Sequence, residues 1–456
     1  MNASATPTLT PTPQTEATPR EGLLINRNFA LLWLGQTVSI FGDFVFSTTL
    51  VVWIAATIAR GQTWAPLAVS GVFIAASIPP ILVAPLAGAL VDRMSKRAAM
   101  LGAYAVSMLT TLALIPATGL LRIGPLASMP RSTTWTLGAI YCAVAILAVC
   151  SQFSAPASLA LVGAIVSEPT RPRAMGFLQG SMSLGMLLGP AVAAPLFLTF
   201  GAQWALLIDA ASFAFACGTL TAVRLSAPAT SAGRQQRGSL GQEMREGVVF
   251  LLRSRTLSVL ALVTAVAMLG AGALNALDVF FTTHNLHTPL SLYGLLSTAL
   301  GVGLITGAVL AGGLAQRIGL TRTIWGATIA IGVLVIVYAR LDSFGAAAIA
   351  LFFTGVPLAA LDVAGGPLLL RETPERLIGR VSSLLTPLAT VATLAGAALA
   401  GYLDSNALQH FSASILGMTF GPVDTIFCVA GALILASGVY AMLGLRGADR
   451  RAVQTS

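Results

Sequence analysis

The chain has 456 residues, 56% hydrophobic and only 9% charged, against about 25% charged in an ordinary soluble domain, so it lacks the polar surface of a water-soluble globule and a soluble enzyme is excluded. Its formal charge of +9 does not point to nucleic acid, because the basic residues form short clusters between apolar stretches, with no aromatic-studded basic face. At about 20 apolar residues per membrane-crossing helix, this length accommodates about twelve crossings and leaves roughly 150 residues for loops and tails.

Residues 1–22 are rich in Thr and Pro and lack the basic and apolar regions of a signal peptide, so a disordered cytoplasmic tail is expected. Apolar stretches then fall at roughly 30–58, 64–90, 98–121, 134–166, 174–200, 203–223, 257–283, 290–315, 323–340, 344–370, 380–403 and 422–445. Twelve transmembrane helices are predicted, an all-α membrane protein. Arg60, Arg122, Arg131 and Arg340 alternate with the other 21 of the 25 Lys and Arg, so the positive-inside rule puts both termini in the cytoplasm.

The longest polar stretch, 224–256, begins as a flexible linker and continues as an amphipathic helix in SLGQEMREGVVFLLRSR. It separates a six-helix bundle over 23–223 from a second over 257–446, with a tail at 447–456. The halves echo each other: Gly88-Ala-Leu-Val-Asp92-Arg93 after span two is matched by Gly312-Gly-Leu-Ala-Gln316-Arg317 after span eight. Two pseudo-symmetric repeats are expected.

An ionised acid at bilayer depth costs about 2.5–3.5 kcal/mol even on the lenient insertion scale. Asp43, Asp209, Asp278 and Asp362 lie in spans one, six, seven and ten, with no Lys or Arg well inside any span. Gln36, Ser39, Asp43 and Ser47 share one helical face of span one, and Asn275, Asp278 and Thr282 one face of span seven. Gln152 stands beside a weaker stripe of Ser151, Ser154 and Ser158 on span four. Asp43 and Asp278 are read as proton- or cation-handling groups and Asp362 as the next candidate, whereas Asp209, on a peripheral span, is read as packing or capping. The hydroxyl stripes fit helix–helix hydrogen bonding as well as substrate contact.

Glycines at Gly88, Gly185 and Gly189 permit close helix approach, and Pro190 leaves a backbone carbonyl free. Asp92, at a membrane edge, needs a cation or helix N-terminus as partner, while Arg93 and Arg97 anchor topology in any case. Cys142, Cys150, Cys217 and Cys428 lie in apolar stretches without metal-binding spacing, and His284 and His287 lack a third ligand, so no metal or cofactor is expected. Neither a Walker loop nor a hydrolase motif occurs.

The Gly88 to Arg97 segment resembles the loop 2-3 signature of the major facilitator superfamily. Asn26-Arg27-Asn28-Phe29 with Trp33, Gly35 and Gln36, Ile208-Asp209-Ala-Ala-Ser212-Phe213, Tyr293-Gly294-Leu295 and Gly379-Arg380-Val381 are similar to its macrolide and siderophore (enterobactin-type) exporter branch. The resemblance implies alternating access around a cavity lined by helices 1, 4, 7 and 10. It also implies a cytoplasmic latch formed by Gly88, Asp92, Arg93 and Arg97, with Arg380 or the start of span eleven as partner, and an exporter-associated Gly-Pro motif at Gly185, Gly189 and Pro190. Gln316 replaces the acid in the second copy, which should lack an ionic latch. The function expected is proton-coupled efflux of amphipathic, cationic or weakly basic drugs or secreted metabolites by a monomer in the inner (plasma) membrane, in contact with lipids. Alternatives are a lipid or lysolipid translocator on the same fold and a non-transporting sensor or scaffold.

Overall fold

The computed structural model describes residues 25–119, 132–223, 240–409, 411, 413–415 and 418–445. The predicted tails, the first part of the linker and the loop bearing Arg122 and Arg131 lie outside the described residues.

In chain order the helices are α1 (Arg27–Trp53), α2 (Ala65–Arg93), α3 (Lys96–Ala117), α4 (Thr133–Ile165), α5 (Arg171–Phe200) and α6 (Ala202–Ala222). After α7 (Leu240–Arg253) come α8 (Arg255–His284), α9 (Tyr293–Ile318), α10 (Leu320–Ala339), α11 (Phe344–Glu372), α12 (Glu375–Tyr402) and α13 (Pro422–Leu445). All but α7 are long and apolar enough to cross a membrane, twelve among the described residues. Single π-helical turns extend α1 over Ile54–Ile58 and α12 over Leu403–Ala407. A two-stranded hairpin, β1 (Ala413–Ile415) and β2 (Met418–Phe420), pairs Ser414 with Thr419 just before α13.

Side-chain caps mark the helix starts: Asn26 accepts the Phe29 N–H at 2.8 Å, and Ser95, Ser132 and Ser254 cap α3, α4 and α8. Gly201 and Gly319, at φ of 86° and 90°, make single-residue connections between α5 and α6 and between α9 and α10, a left-handed conformation that glycine adopts without strain.

Within the first half α1 packs on α5 and α6, α2 on α4, and α3 on α4 and α6; within the second α8 packs on α12 and α13, α9 on α11, and α10 on α11 and α13. The pattern is the same when each helix is replaced by its counterpart seven elements on. The cross-half pairs, α5 with α9 and α2 with α12, also exchange under that substitution, so the halves are related as a pseudo-two-fold repeat.

The buried core is divided unevenly along the membrane normal. One cluster, with Leu50, Val69, Phe281, Leu296, Tyr338 and Phe427, joins both halves at the end away from α7. Toward the α7 end the core splits into separate clusters, one around Phe29, Met100 and Leu220 in the first half and one around Val263, Ile324 and Leu368 in the second. The hydrogen bonds between halves follow the same division: the Ser70 hydroxyl donates to the Ala397 carbonyl at 2.8 Å, the Thr298 hydroxyl to the Leu187 carbonyl at 2.8 Å, and the Leu67 N–H to the Ser405 hydroxyl at 3.2 Å. Gly294 lies against the Pro190 carbonyl, and Gly401 against Ser70. Among the described residues, then, the halves are fastened at the far end and have separate cores at the α7 end.

Candidate functional site

At about 100° per residue, α1 presents four distinct sides. Ile40 and Phe44 meet Gly185 and Gly189 of α5, while Gly35 and Gly42 receive Thr219 and Ser212 of α6. Leu34, 43% exposed, points outward. The remaining side carries Gln36 and Asp43 toward Tyr104 of α3, with Ser47 one turn beyond Asp43. Asp43 and Ser47 are exposed, Gln36 is half-buried and Ser39 is buried. Ser47 donates to the Asp43 carbonyl at 2.7 Å, within its own helix. A carboxyl thus faces open space at membrane depth, on the side of α1 turned from its two closest neighbours.

Asp209 of α6 lies behind Gly42 and is fully buried. The Thr111 hydroxyl of α3 donates to its Oδ2 at 3.2 Å, while its Oδ1 has no hydrogen-bond partner. Asp209 therefore sits between α3 and α1, against the residue that precedes Asp43. The periodicity of single helices does not show that Gly42 lets α6 come this close to α1.

In the second half Asp278 is half-buried and accepts a hydrogen bond from the hydroxyl of Tyr338 on α10. Tyr293, at the start of α9, is a second neighbour. Thr282 is buried and donates to the Asp278 carbonyl at 2.8 Å, and Asn275 is exposed one turn away. The tyrosines are partners that a search for membrane-depth cations overlooks. Asp43 and Asp278 are not brought together, each sitting among aromatic and hydroxyl groups of its own half.

On α4, Gln152 is half-buried and donates to Ser151 at 3.1 Å. Asp362 of α11 is exposed, and Thr354 is turned to the Ala350 carbonyl of the same helix. Of the expected latch, Arg97 donates to the Thr221 carbonyl at the end of α6, Gly88 belongs to α2, and the side chains of Asp92 and Arg93 lie outside the described residues. Arg380 forms an ion pair with Glu246 of α7, whose Gly247 packs on the Arg380 backbone. Gly185 and Gly189 seat α5 on Phe44 of α1, whereas Pro190 presents its carbonyl across the interface to Gly294.

At the far end a cavity of about 900 Å3 opens between the halves, lined by Arg60, Gln62, Phe197, Phe280, His284 and Asp404 among others. Beside it, Asp424 accepts from Asn285, from Arg340 at 3.4 Å and from the Gly421 N–H at 3.1 Å, and the Arg340 guanidinium stacks 4.3 Å from the Phe420 ring centre. This clasp ties α8, α10 and α13 together.

Two six-helix repeats, fastened at one end and bearing carboxyls at membrane depth, define a membrane transporter of the major facilitator type. A family model described as a transmembrane secretion effector matches residues 22–423, and the chain belongs to that family of the superfamily. An uncharacterized MFS-type transporter of Sinorhizobium fredii, y4rN, is 28% identical over 389 residues, 84% of this chain and 89% of its own. Among solved structures, a bacterial homologue of the iron transporter ferroportin in an inward-facing state is 18% identical with a TM-score of 0.68, covering 93% of this chain and 100% of that one. A D-xylose-proton symporter is 15% identical with a TM-score of 0.67, covering 92% and 97%. At these identities the structural likenesses show the fold.

Proposed function

We propose that the chain is a proton-coupled exporter of small amphipathic, cationic or weakly basic molecules. On this reading it acts as a monomer in the bacterial plasma membrane, with α7 and both termini in the cytoplasm. The observation that carries the reading is Asp43: an exposed acid at membrane depth, outside every ion pair among the described residues. Such a group is neutralised either by a proton or by a cationic substrate. Competition between the two makes the proton gradient a driving force for export, because a protonated acid no longer attracts the cation and an empty, ionised one reloads it. The split core at the α7 end supports a resting form open to the cytoplasm, the side from which an exporter loads.

Everted membrane vesicles test the reading. Adding a cationic dye to energised vesicles should partly collapse the pH gradient, and Asp43→Asn, which keeps the shape but cannot titrate, should abolish that collapse while downhill dye movement persists. Full gradient-dependent dye transport by the Asn variant would contradict it. Movement of headgroup-labelled lipid without gradient collapse would point to lipid translocation instead.

A further inference from the structure

Asp209 is the most completely enclosed carboxyl among the described residues, at 0% exposure. Its surroundings satisfy it only in part: Thr111, also fully buried, donates to Oδ2, and Oδ1 is left without a donor. That unpaired oxygen faces α1, where a Cβ built on Gly42 would come within 3.0 Å of it. Gly42 is thus the small residue that lets α6 bring an acid against α1, one position from Asp43. The two acids thus belong to facing segments of α1 and α6, Asp43 being the residue next to the glycine that Asp209 abuts.

The cluster contains no compensating cation. On α1 the only basic residue is Arg27 at its start, on α3 Lys96 and Arg97 stand at the first turn, α6 has none, and α5 has only Arg171 and Arg173 at its start. The other titratable groups facing the pair are Tyr104 of α3 and, beyond it, Cys217 of α6. The neighbouring part of α5 contributes Ala193, packed with Val45 and Ala205. Two acids placed together without a cation are not both ionised at low cost. A single proton held by one of the two carboxyls leaves one negative charge for the pair instead of two.

We propose that Asp43 and Asp209 form one carboxyl pair that takes up and releases a single proton during the transport cycle, with Asp209 as the buried partner, Asp43 as the exposed member and Thr111 as a positioning residue. The pair deepens the proton-coupled reading and, as a transport device, rests on it. The proton is loaded when Asp43 faces the far side and leaves from Asp43 toward the α7 end. Gly42 and Thr111 keep the partner oxygen in register throughout.

Two measurements on the full chain in proteoliposomes test the proposal. In the first, dicyclohexylcarbodiimide, which couples to protonated carboxyls in apolar surroundings, is reacted at a series of pH values and Asp43 modification is followed by peptide mass spectrometry. The midpoint should move by at least about one pH unit in Asp209→Asn, as for groups that share a proton. An unmoved midpoint overturns the pair. In the second, Asp209→Asn should reduce gradient-driven dye efflux at least tenfold while downhill movement persists; wild-type coupling, or equal loss of both, assigns Asp209 to packing and overturns the proposal. If wild-type protein shows no gradient-driven transport, the exporter reading fails, and the labelling midpoint still decides whether the carboxyls are paired. Should Asp209→Asn not reach the membrane, Thr111→Val removes the donor to Oδ2 and should move the same midpoint; an unmoved midpoint there also overturns the pair.

Discussion

The Tyr338 hydroxyl donates to a carboxyl oxygen of Asp278, so that an acid on α8 is held by a phenol on α10. The Tyr338 ring is fully buried and packs against Phe281, 4.7 Å between ring centres, and against Phe427 of α13 at 6.1 Å. The bond therefore anchors the acid to the aromatic wall where the core spans both halves. Tyr338→Phe keeps that wall and removes the donor, and the loss should be about 1–3 kcal/mol of stability. Thermal unfolding of purified protein in detergent reads it. An unchanged melting temperature would show that the bond contributes nothing net.

Gly294 of α9 faces the Pro190 carbonyl of α5 with no room for a methyl group. Backbone blocks the way, so Gly294→Ala cannot be absorbed by rotating a side chain. The substitution should separate the halves at the far end, with an overpacking cost of about 1–3 kcal/mol acting against the closed form. A cysteine at Thr283, which lines the far-end cavity, should react faster with an impermeant thiol reagent in this background, native cysteines having been removed. Equal rates would mean that the contact does not control closure.

Asp424 is 6% exposed and gathers Asn285, Arg340 and the Gly421 N–H. Asp424→Ala leaves a partly buried guanidinium without this carboxylate. Since the Arg340 side chain is 26% exposed, the loss should fall at the low end of the roughly 3–5 kcal/mol seen when a buried pair loses one member. Melting of Asp424→Ala, compared with Asp424→Asn, checks it, the Asn variant retaining an acceptor for Asn285. If the two melt alike, the oxygen acceptor is not what stabilises the clasp.

Orientation follows from the positive-inside rule and is directly measurable. Arg60 and Arg245 are exposed at opposite ends. In intact cells a single cysteine at position 60 should label with a membrane-impermeant reagent and one at 245 should not; the reverse pattern would invert the assignment.

The class of fold was legible because hydropathy is a one-dimensional signal: runs of 19 to 33 residues with almost no charge have few alternatives to a membrane-spanning helix. The loop 2-3 string and its degenerate second copy likewise mark the repeat in the sequence. The partners of the acids were not legible. Tyr338 meets Asp278 across 60 residues and Thr111 meets Asp209 across 98, and nothing in the periodicity of one helix says which neighbour it will face. Asp209 illustrates the limit: its seat against α1 is made by the missing side chain of Gly42 on another helix, which the periodicity of α6 cannot show. The ion pair of Arg380 with Glu246 illustrates another, since it crosses 134 residues to α7.

Among the described residues, the hydrogen bonds that hold the halves together at the far end run from hydroxyls or an amide to carbonyls or a hydroxyl, and none of these three involves a formal charge. Mobile ions screen charges and leave such dipolar contacts almost untouched. Separation of the halves at that end should therefore proceed at nearly the same rate in dilute and concentrated salt, so that a cell living through swings of external ionic strength would keep this step of the cycle at constant tempo.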